Sequence, residues 1–578
     1  MRRRLLQETN TEYIKAGALT FTANSACQVK FTGKTPSGGT LNKLFYSLDG
    51  GTTAQELPNN TYISLSTGDT IMFRGECIPN SSSTVSTQGI GTFAATGGTF
   101  SASGNVMSLL FGNDFSNKTS LSGKNYTFYR LFYICTKLSS ITNISLPATT
   151  IAQNCYDSMF YGCTGLTSIP STLLPATTLS SHCYREMFRG CTGLTSIPES
   201  LLQARSLTSY CYYYMFGGCT HITSIPSGLL PATKLYNNCY SNMFSSCGLT
   251  SIPSTLLQAT TLANLCYSSM FTGCTRLTDI PSTLLPATTL ASECYSSMFN
   301  GCTGLTSIPE KLLPVTTLAQ GCYSDMFHGC SGLTSIPTGL LPATTLADYC
   351  YQYMFQGCTG LTSIPTGLLP ATTLADYCYY DMFRSCTGLT SIPSGLLPAT
   401  TLASTCYSDM FAYCTSLTSI PTGLLPATSL ASGCYQYMFL GCTGLTSIPT
   451  GLLPATTLAN YCYRYMFQGC TGLTTIPTGL LPATILANYC YQQMFHTCTN
   501  ITRAPDLPAT TLANGCYGNM FYSCTNLNYI KCMAKNPSGY TTGWVYGVAS
   551  SGTFVKNSSA TWSSGQSGIP DGWTVQNA

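Results

Sequence analysis

A unit of 28 residues returns along most of the chain, and no other feature restricts the fold as strongly. One copy runs Cys350-Tyr-Gln-Tyr-Met-Phe-Gln-Gly-Cys-Thr-Gly-Leu-Thr-Ser-Ile-Pro-Thr-Gly-Leu-Leu-Pro-Ala-Thr-Thr-Leu-Ala-Asp-Tyr. Its first cysteine falls at 155, 183, 211, 239, 266, 294, 322, 350, 378, 406, 434, 462, 490 and 516, with a second cysteine always eight residues later. A degenerate copy, Thr127-Phe-Tyr-Arg-Leu-Phe-Tyr-Ile-Cys135, precedes them. At 578 residues, an ordinary chain would form about four domains. Self-similarity at a fixed period predicts instead a solenoid, in which each coil buries its apolar face against its neighbours.

The unit reads as one helix and one strand. On a wheel of 100° per residue, Cys155, Tyr156, Met159, Phe160 and Cys163 share one arc, the apolar stripe of an amphipathic helix. Asn154, Asp157, Ser158 and Tyr161 fall outside that arc, toward solvent. Gly165 suits a left-handed helix stop. Leu166-Thr-Ser-Ile169 reads as a short strand ended by Pro170, which has no amide to continue a ladder. In the copy quoted above the core is therefore Cys350, Tyr351, Met354, Phe355, Cys358, Leu361 and Ile364. Outside the repeats, Leu19-Thr-Phe-Thr, Gln28-Val-Lys-Phe, Lys43-Leu-Phe-Tyr and Thr70-Ile-Met-Phe are strand-like runs between turn residues.

The motif Phe-x-Gly-Cys-Thr-x-Leu-Thr-Ser-Ile-Pro resembles the BspA-like, Treponema-type leucine-rich repeats of bacterial surface proteins, over roughly residues 125–532. The 28-residue period is longer than that family's usual unit. Tyr46-Ser-Leu-Asp-Gly-Gly, Gly68-Asp-Thr-Ile-Met-Phe-Arg-Gly75 and Gly104-Asn-Val-Met-Ser-Leu-Leu110 resemble the β domain that precedes such repeats in gut Bacteroidetes and their phages. Gly552-Thr-Phe-Val and Gly568-Ile-Pro-Asp-Gly-Trp573 are similar to their C-terminal ends. The expected fold is an α/β solenoid, a curved leucine-rich repeat of about 15 coils. The expected division is an arm at 1–12, a β-rich, sandwich-like domain at 13–120, the solenoid at 121–532 and a small C-terminal cap at 533–578.

Cysteine needs its own account, since the repeats hold 28 of the 32. A metal site would favour Cys-x-x-Cys, which does not occur. Two cysteines eight apart on a helix are ~12 Å apart along its axis. Packed helices lie ~8–10 Å apart, beyond the ~7 Å Cα limit of a disulfide. Buried free thiols acting as small apolar residues are the remaining reading, and they fit assembly in a reducing compartment. The methionine column reads as core in the same way. No metal and no cofactor is expected.

Charged residues are only 8% and the net charge is +4, which argues against nucleic-acid binding by clustered Lys and Arg. No stretch reaches the ~20 apolar residues of a membrane span. The N-terminus has the basic Arg2-Arg3-Arg4 start of a secretory signal, but Glu8 and Glu12 stand where its apolar region would be. Leu-Pro-Ala-Thr-Thr imitates a sortase signal, yet it recurs mid-chain without a hydrophobic tail. The four histidines, His182, His221, His328 and His496, occupy variable slots without a nucleophile beside them, so no enzyme is expected.

The slots that change from coil to coil carry what specificity there is. Tyr349, Tyr353, Tyr377, Tyr380, Arg384, Tyr437, Tyr461, Arg464, Tyr465 and Tyr489 form a recognition palette of rigid rings with hydrogen-bonding heads. Substitution without consequence at solvated positions is the competing account. Coils at 239–302 present mostly Ser, Asn and Thr. The sequence points to non-enzymatic adhesion, with a host surface protein or glycan as partner. In a virion setting, as a phage fibre or decoration protein, other virion proteins join as partners; a bacterial cell-surface or secreted adhesin is the alternative. An ice-binding Thr array or a plain spacer is a more remote reading, and an oligomer is compatible with all of these.

Overall fold

The computed structural model describes residues 13–37, 39–81 and 88–578; the expected arm at 1–12 lies outside them. The chain forms two compact units, Met1–Cys274 and Thr275–Ala578.

In the first unit, alternation of apolar and polar residues builds two sheets. One has six strands in the order β4 (Gln55–Glu56), β3 (Leu44–Ser47), β6 (Thr70–Gly75), β1 (Leu19–Ala23), β8 (Phe100–Asn105) and β9 (Leu138–Ser145). The other has three, β5 (Ile63–Leu65), β2 (Cys27–Gly33) and β7 (Gly91–Gly97). Their inner faces meet through rings: Phe21 of β1 lies 4.9 Å from Phe93 of β7, and Phe73 of β6 lies 5.0 Å from it. Strand β9 comes from the degenerate repeat and pairs parallel with β8. Phe132, just before it, packs on Phe21 and Phe93 at 5.8 and 5.6 Å. The repeats thus begin directly on the aromatic core of the sheets.

The expected helix of each coil does not form. Among the described residues the α-helix is confined to α1 (Ser108–Phe111), outside the repeats. The segment from Asn154 to Cys163 is a run of tandem turns. Alternate amides close locally, as in Asp157 N–H to Asn154 O (3.3 Å), Met159 to Tyr156 (3.2 Å) and Tyr161 to Ser158 (3.1 Å). The others reach the next coil: Tyr156 N–H donates to Cys183 O (3.0 Å), Ser158 to Arg185 (2.8 Å) and Phe160 to Met187 (2.9 Å). Every fourth residue is left-handed, with φ of 56° at Asn154, 56° at Ser158 and 68° at Gly162, which no right-handed helix accommodates. A four-residue period still stacks Cys155, Met159 and Cys163 on one side, so the wheel found the buried residues while misnaming the element. It also misplaced Asn154, Asp157 and Ser158, which are buried, the last two completely.

The expected strand is equally reduced. Leu166-Thr-Ser-Ile169 forms no ladder, and successive copies share a single amide bond where they bond at all, such as Thr334 N–H to Thr306 O at 3.4 Å. Isolated parallel bridges run instead through the Pro-Ala-Thr-Thr return, Thr150 to Thr178 to Ser206 to Lys234 in the first unit. Gly165 is not a left-handed stop. A Cβ there would lie 2.5 Å from the Thr136 carbonyl of the preceding coil, so close approach demands the glycine; the left-handed position is Gly162.

Because coils bond backbone to backbone, each core residue stacks on its counterpart. In the second unit the Tyr column from Tyr295 to Tyr517 keeps ring centroids 5.6–6.2 Å apart. The Phe column from Phe299 to Phe521 runs beside it at 5.6–5.8 Å. Both end on Trp544, 6.1 Å from Tyr517 and from Phe521. The tail continues the same pattern: Asn519, Phe521 and Ser523 donate to the carbonyls of Thr542, Trp544 and Tyr546. Its strands β11 (Thr553–Lys556) and β12 (Thr574–Asn577) extend β10 (Tyr529–Cys532) of the last repeat into a parallel sheet.

Cys350, Tyr351, Met354, Phe355, Cys358, Leu361 and Ile364 are all buried, as are all 32 cysteines. The expected 8–10 Å separation between coils is replaced by direct backbone contact, so equivalent cysteines are neighbours. In a parallel stack their Cβ atoms stand one coil spacing apart, ~4.8 Å, still longer than the ~3.8 Å typical of a disulfide.

Candidate recognition surface

The tandem turns place three left-handed residues in each coil: the residue before the first cysteine, and the third and seventh after it. Glycine often fills the last, as at Gly329, Gly357 and Gly469. The first two hold many of the variable residues. Tyr349, Tyr377, Tyr461 and Tyr489 precede a cysteine and have φ between 56° and 60°; Tyr353, Tyr437 and Tyr465 follow one with φ between 56° and 59°. Left-handed backbone costs a side-chain-bearing residue ~1–2 kcal/mol relative to glycine. Tyrosine therefore sits where the backbone alone would choose Gly or Asn.

These rings do not project freely. All ten residues of the palette are half-buried, and the coil spacing stacks them into a second ladder outside the core. Tyr349 lies on Tyr377 at 5.0 Å, Tyr437 on Tyr465 at 4.5 Å and Tyr461 on Tyr489 at 5.3 Å. Tyr380 meets Tyr353 and Tyr377 edge-on at 5.3 and 5.8 Å. The Arg464 guanidinium covers Tyr465 at 4.6 Å and Tyr461 at 5.6 Å, and donates to the Tyr465 hydroxyl at 3.1 Å. Nine of the ten thus fall into two patches, Tyr349 to Tyr380 and Tyr437 to Tyr489. Arg384 belongs to neither cluster of rings: it covers Tyr413 at 5.1 Å and pairs with Asp381 at 3.2 Å and Asp409 at 2.9 Å.

Asp381 and Asp409 are buried. Burial, with Asp381 beside it, holds the Asp409 carboxyl up at about 7 despite Arg384 and the Ser408 hydroxyl. In the first unit burial similarly lifts Asp157 to about 6 against the pull of Arg185 at 2.9 Å.

Sequence reasoning overlooked the same chemistry in the first unit. Tyr133 stacks on Tyr161 at 4.9 Å, and Arg189 lies over Tyr214 at 4.1 Å and Tyr161 at 5.6 Å. The signal was available, since these residues occupy the same slots. Part of the expected polar contrast at 239–302 also turns inward, with Ser241 and Ser245 buried.

Three of the four histidines, His182, His328 and His496, join the ladder too. His182 stacks on Tyr210 at 4.7 Å and His496 on Tyr522 at 4.9 Å; His221 Nδ1 meets the Thr192 carbonyl, and His328 Nδ1 faces Asp325 at 3.2 Å. Among the described residues no three His, Cys, Asp or Glu side chains gather as metal ligands, and no helix is long and apolar enough to cross a membrane. On the opposite side of the coil, the Thr and Ser of Leu-Thr-Ser-Ile are exposed, and several Thr hydroxyls point back to the preceding coil, as Thr334 does to Thr306 O at 3.4 Å.

The family described as the BspA type leucine-rich repeat region matches in six overlapping copies, residues 128–243, 187–326, 267–393, 299–446, 353–502 and 405–539. The chain belongs to the BspA-type leucine-rich repeat family. No curated protein matches it. In this BspA-type chain the frame residues are buried and nearly constant, and the slots that differ between coils lie together on the turn side.

Proposed function

We propose that this protein is a non-enzymatic adhesion or recognition solenoid displayed on a surface, binding a host surface protein or glycan through the tyrosine-rich turn face. One observation carries the reading: seven tyrosines gather in two slots whose residue differs from coil to coil, and their rings pack on one another in patches. Tyr with Arg is also the composition that carries most interface energy. The segments 13–120 and 533–578 serve as the terminal domains of the solenoid.

The setting we favour is a phage virion, as a fibre or decoration protein beside other virion proteins. Support comes from the thiols, whose S–H groups donate hydrogen bonds in the core and suit assembly in a reducing host interior. A bacterial surface adhesin is the competing setting, and mass spectrometry of purified virions and of cell-surface fractions separates the two.

Binding is tested with two variants of equal melting temperature. Replacing Tyr353, Tyr380, Tyr437 and Tyr465 by Ser should reduce adhesion to host cells at least tenfold. Replacing Ser269, Ser297 and Asn300 by Ala should leave it unchanged. Undiminished adhesion in the tyrosine variant rules out the turn face.

A further inference from the structure

The outer ladder has a missing rung. In the slot before the first cysteine, consecutive coils of the second unit carry Glu293, Gly321, Tyr349 and Tyr377. Gly321 adopts φ 58° and offers no side chain. A cavity of about 370 Å³ opens there, lined by Glu293, Ser296, Gln320, Ser324, Asp325 and Tyr349 among others. Tyr349 is held from behind by Tyr377 at 5.0 Å, which leaves its other face toward the gap. The floor is fixed: Gln352 donates to Ser324 Oγ at 3.1 Å, Ser324 donates to Asp325 Oδ2 at 2.6 Å, and His328 holds Asp325 Oδ1 at 3.2 Å.

Two other coils also have glycine in this slot, and in both a neutral side chain lies over it. At Gly433 the Gln436 amide lies 3.3 Å from where a Cβ would be; at Gly515 the Tyr489 ring would lie 2.4 Å from it. At Gly321 the neighbour is an acid: Glu293 Cγ lies 3.0 Å and its carboxyl carbon 4.0 Å from where a Cβ would be, which sets the carboxylate at the edge of the gap. Glu293 has no ion-pair partner among the described residues, and no Lys or Arg lines the cavity.

We propose that this gap receives an arginine side chain of a protein partner, its guanidinium completing the stack between Tyr349 and Glu293. The assignment rests on the reading of the turn face as a binding surface. The slot is one coil thick, ~4.8 Å, which suits a planar group. A guanidinium is the planar cation that both stacks on an aromatic face and pairs with a carboxylate. Asp325, with both oxygens engaged, contributes its charge from below, and Glu293 supplies the direct pair. A neutral sugar would use the hydroxyl and amide groups but would form no ion pair with the exposed Glu293.

The probes are acetyl-arginine amide, acetyl-citrulline amide and methyl glucoside, titrated against the full chain by saturation-transfer NMR. Arginine should bind at least fivefold more tightly than citrulline, which keeps the shape and loses the charge. Glu293→Gln should weaken arginine at least fivefold, with melting unchanged. Gly321→Asn fills the rung with a residue that tolerates left-handed backbone, and it should abolish binding. Equal binding of arginine and citrulline, comparable binding of methyl glucoside, or unaltered affinity in both variants would overturn the proposal. Adhesion lost in the four-tyrosine variant without any arginine binding sinks only the pocket. Arginine binding with undiminished adhesion in that variant sinks only the wider surface reading.

Discussion

The Cys358 thiol donates to the Phe327 carbonyl at 3.1 Å, Cys386 does the same to Phe355, and Cys414 to Phe383 at 3.2 Å. Each of these carbonyls already accepts the amide of its own coil, as Phe327 O does from Cys330 N–H at 3.1 Å. The second cysteine is therefore a small apolar group with one weak donor, aimed at a lone pair of the coil before it. A thiolate could not donate, and burial pushes these thiols far from ionising, Cys414 to about 12. Denatured protein without reductant should titrate close to 32 thiols, whereas the native protein should react with few; a low count on denaturation would show that disulfides have formed. Asp409 gives a second prediction at this scale. Its carboxyl titrates near 7 in the folded protein against ~3.9 unfolded, so the folded state holds the extra proton between those values. With respect to this group, stability should be at its full value at and below about pH 4. It should fall by up to ~1.4 kcal/mol per pH unit toward pH 7 and level off above. The slope should flatten in Asp409→Asn, as read by denaturant melts across pH.

At the level of the coil, the tandem-turn run explains which substitutions matter. Phe355 is fully buried, stacked between Phe327 at 5.8 Å and Phe383 at 5.6 Å, and Phe355→Ala should cost ~3–5 kcal/mol. Gln356 is half-buried on the turn side, and Gln356→Ala should stay within ~0.5–1 kcal/mol. Protease protection across coils 322–384 measures both, and equal effects would contradict the assignment of faces. This element was only half legible in the sequence. The spacings of four between Cys155, Met159 and Cys163 sit near 3.6 and exactly on a chain of four-residue turns, so burial could be read but the backbone could not. What separates the two is a left-handed residue at every fourth position. Gly162 hints at it, but Asn154 and Ser158 give the pattern away only when many coils are aligned on one another. The candidate site suffered the same way: the tyrosines were visible as residues, but their stacking needs a coil spacing that a helix would not have supplied. The gap at Gly321 was invisible for the same reason.

Across the molecule, successive coils of each unit meet through repeated contacts. Tyr323 on Tyr351 at 6.0 Å and Tyr351 on Tyr379 at 5.9 Å are the same contact made twice. Stability in such an array is a sum over neighbouring pairs. Only the ends differ, with Phe132 seated on Phe21 and Phe93 in the first unit, and both aromatic columns closed by Trp544 in the second. Excising residues 350–377 joins Tyr349 to Cys378 and should let Tyr323 stack on Tyr379. We expect that shortened protein to melt cooperatively within a few degrees of the parent; loss of folding would mean that the coils are not interchangeable.

Interchangeable coils make copy number a heritable ruler. Unequal recombination between near-identical 28-residue segments can add or remove one coil without creating a new junction, and each such event shifts the outward tyrosines, acids and glycines into new neighbourhoods. A lineage can thus vary its number of coils, and reshuffle which surface residues stand side by side, while the buried frame remains unchanged.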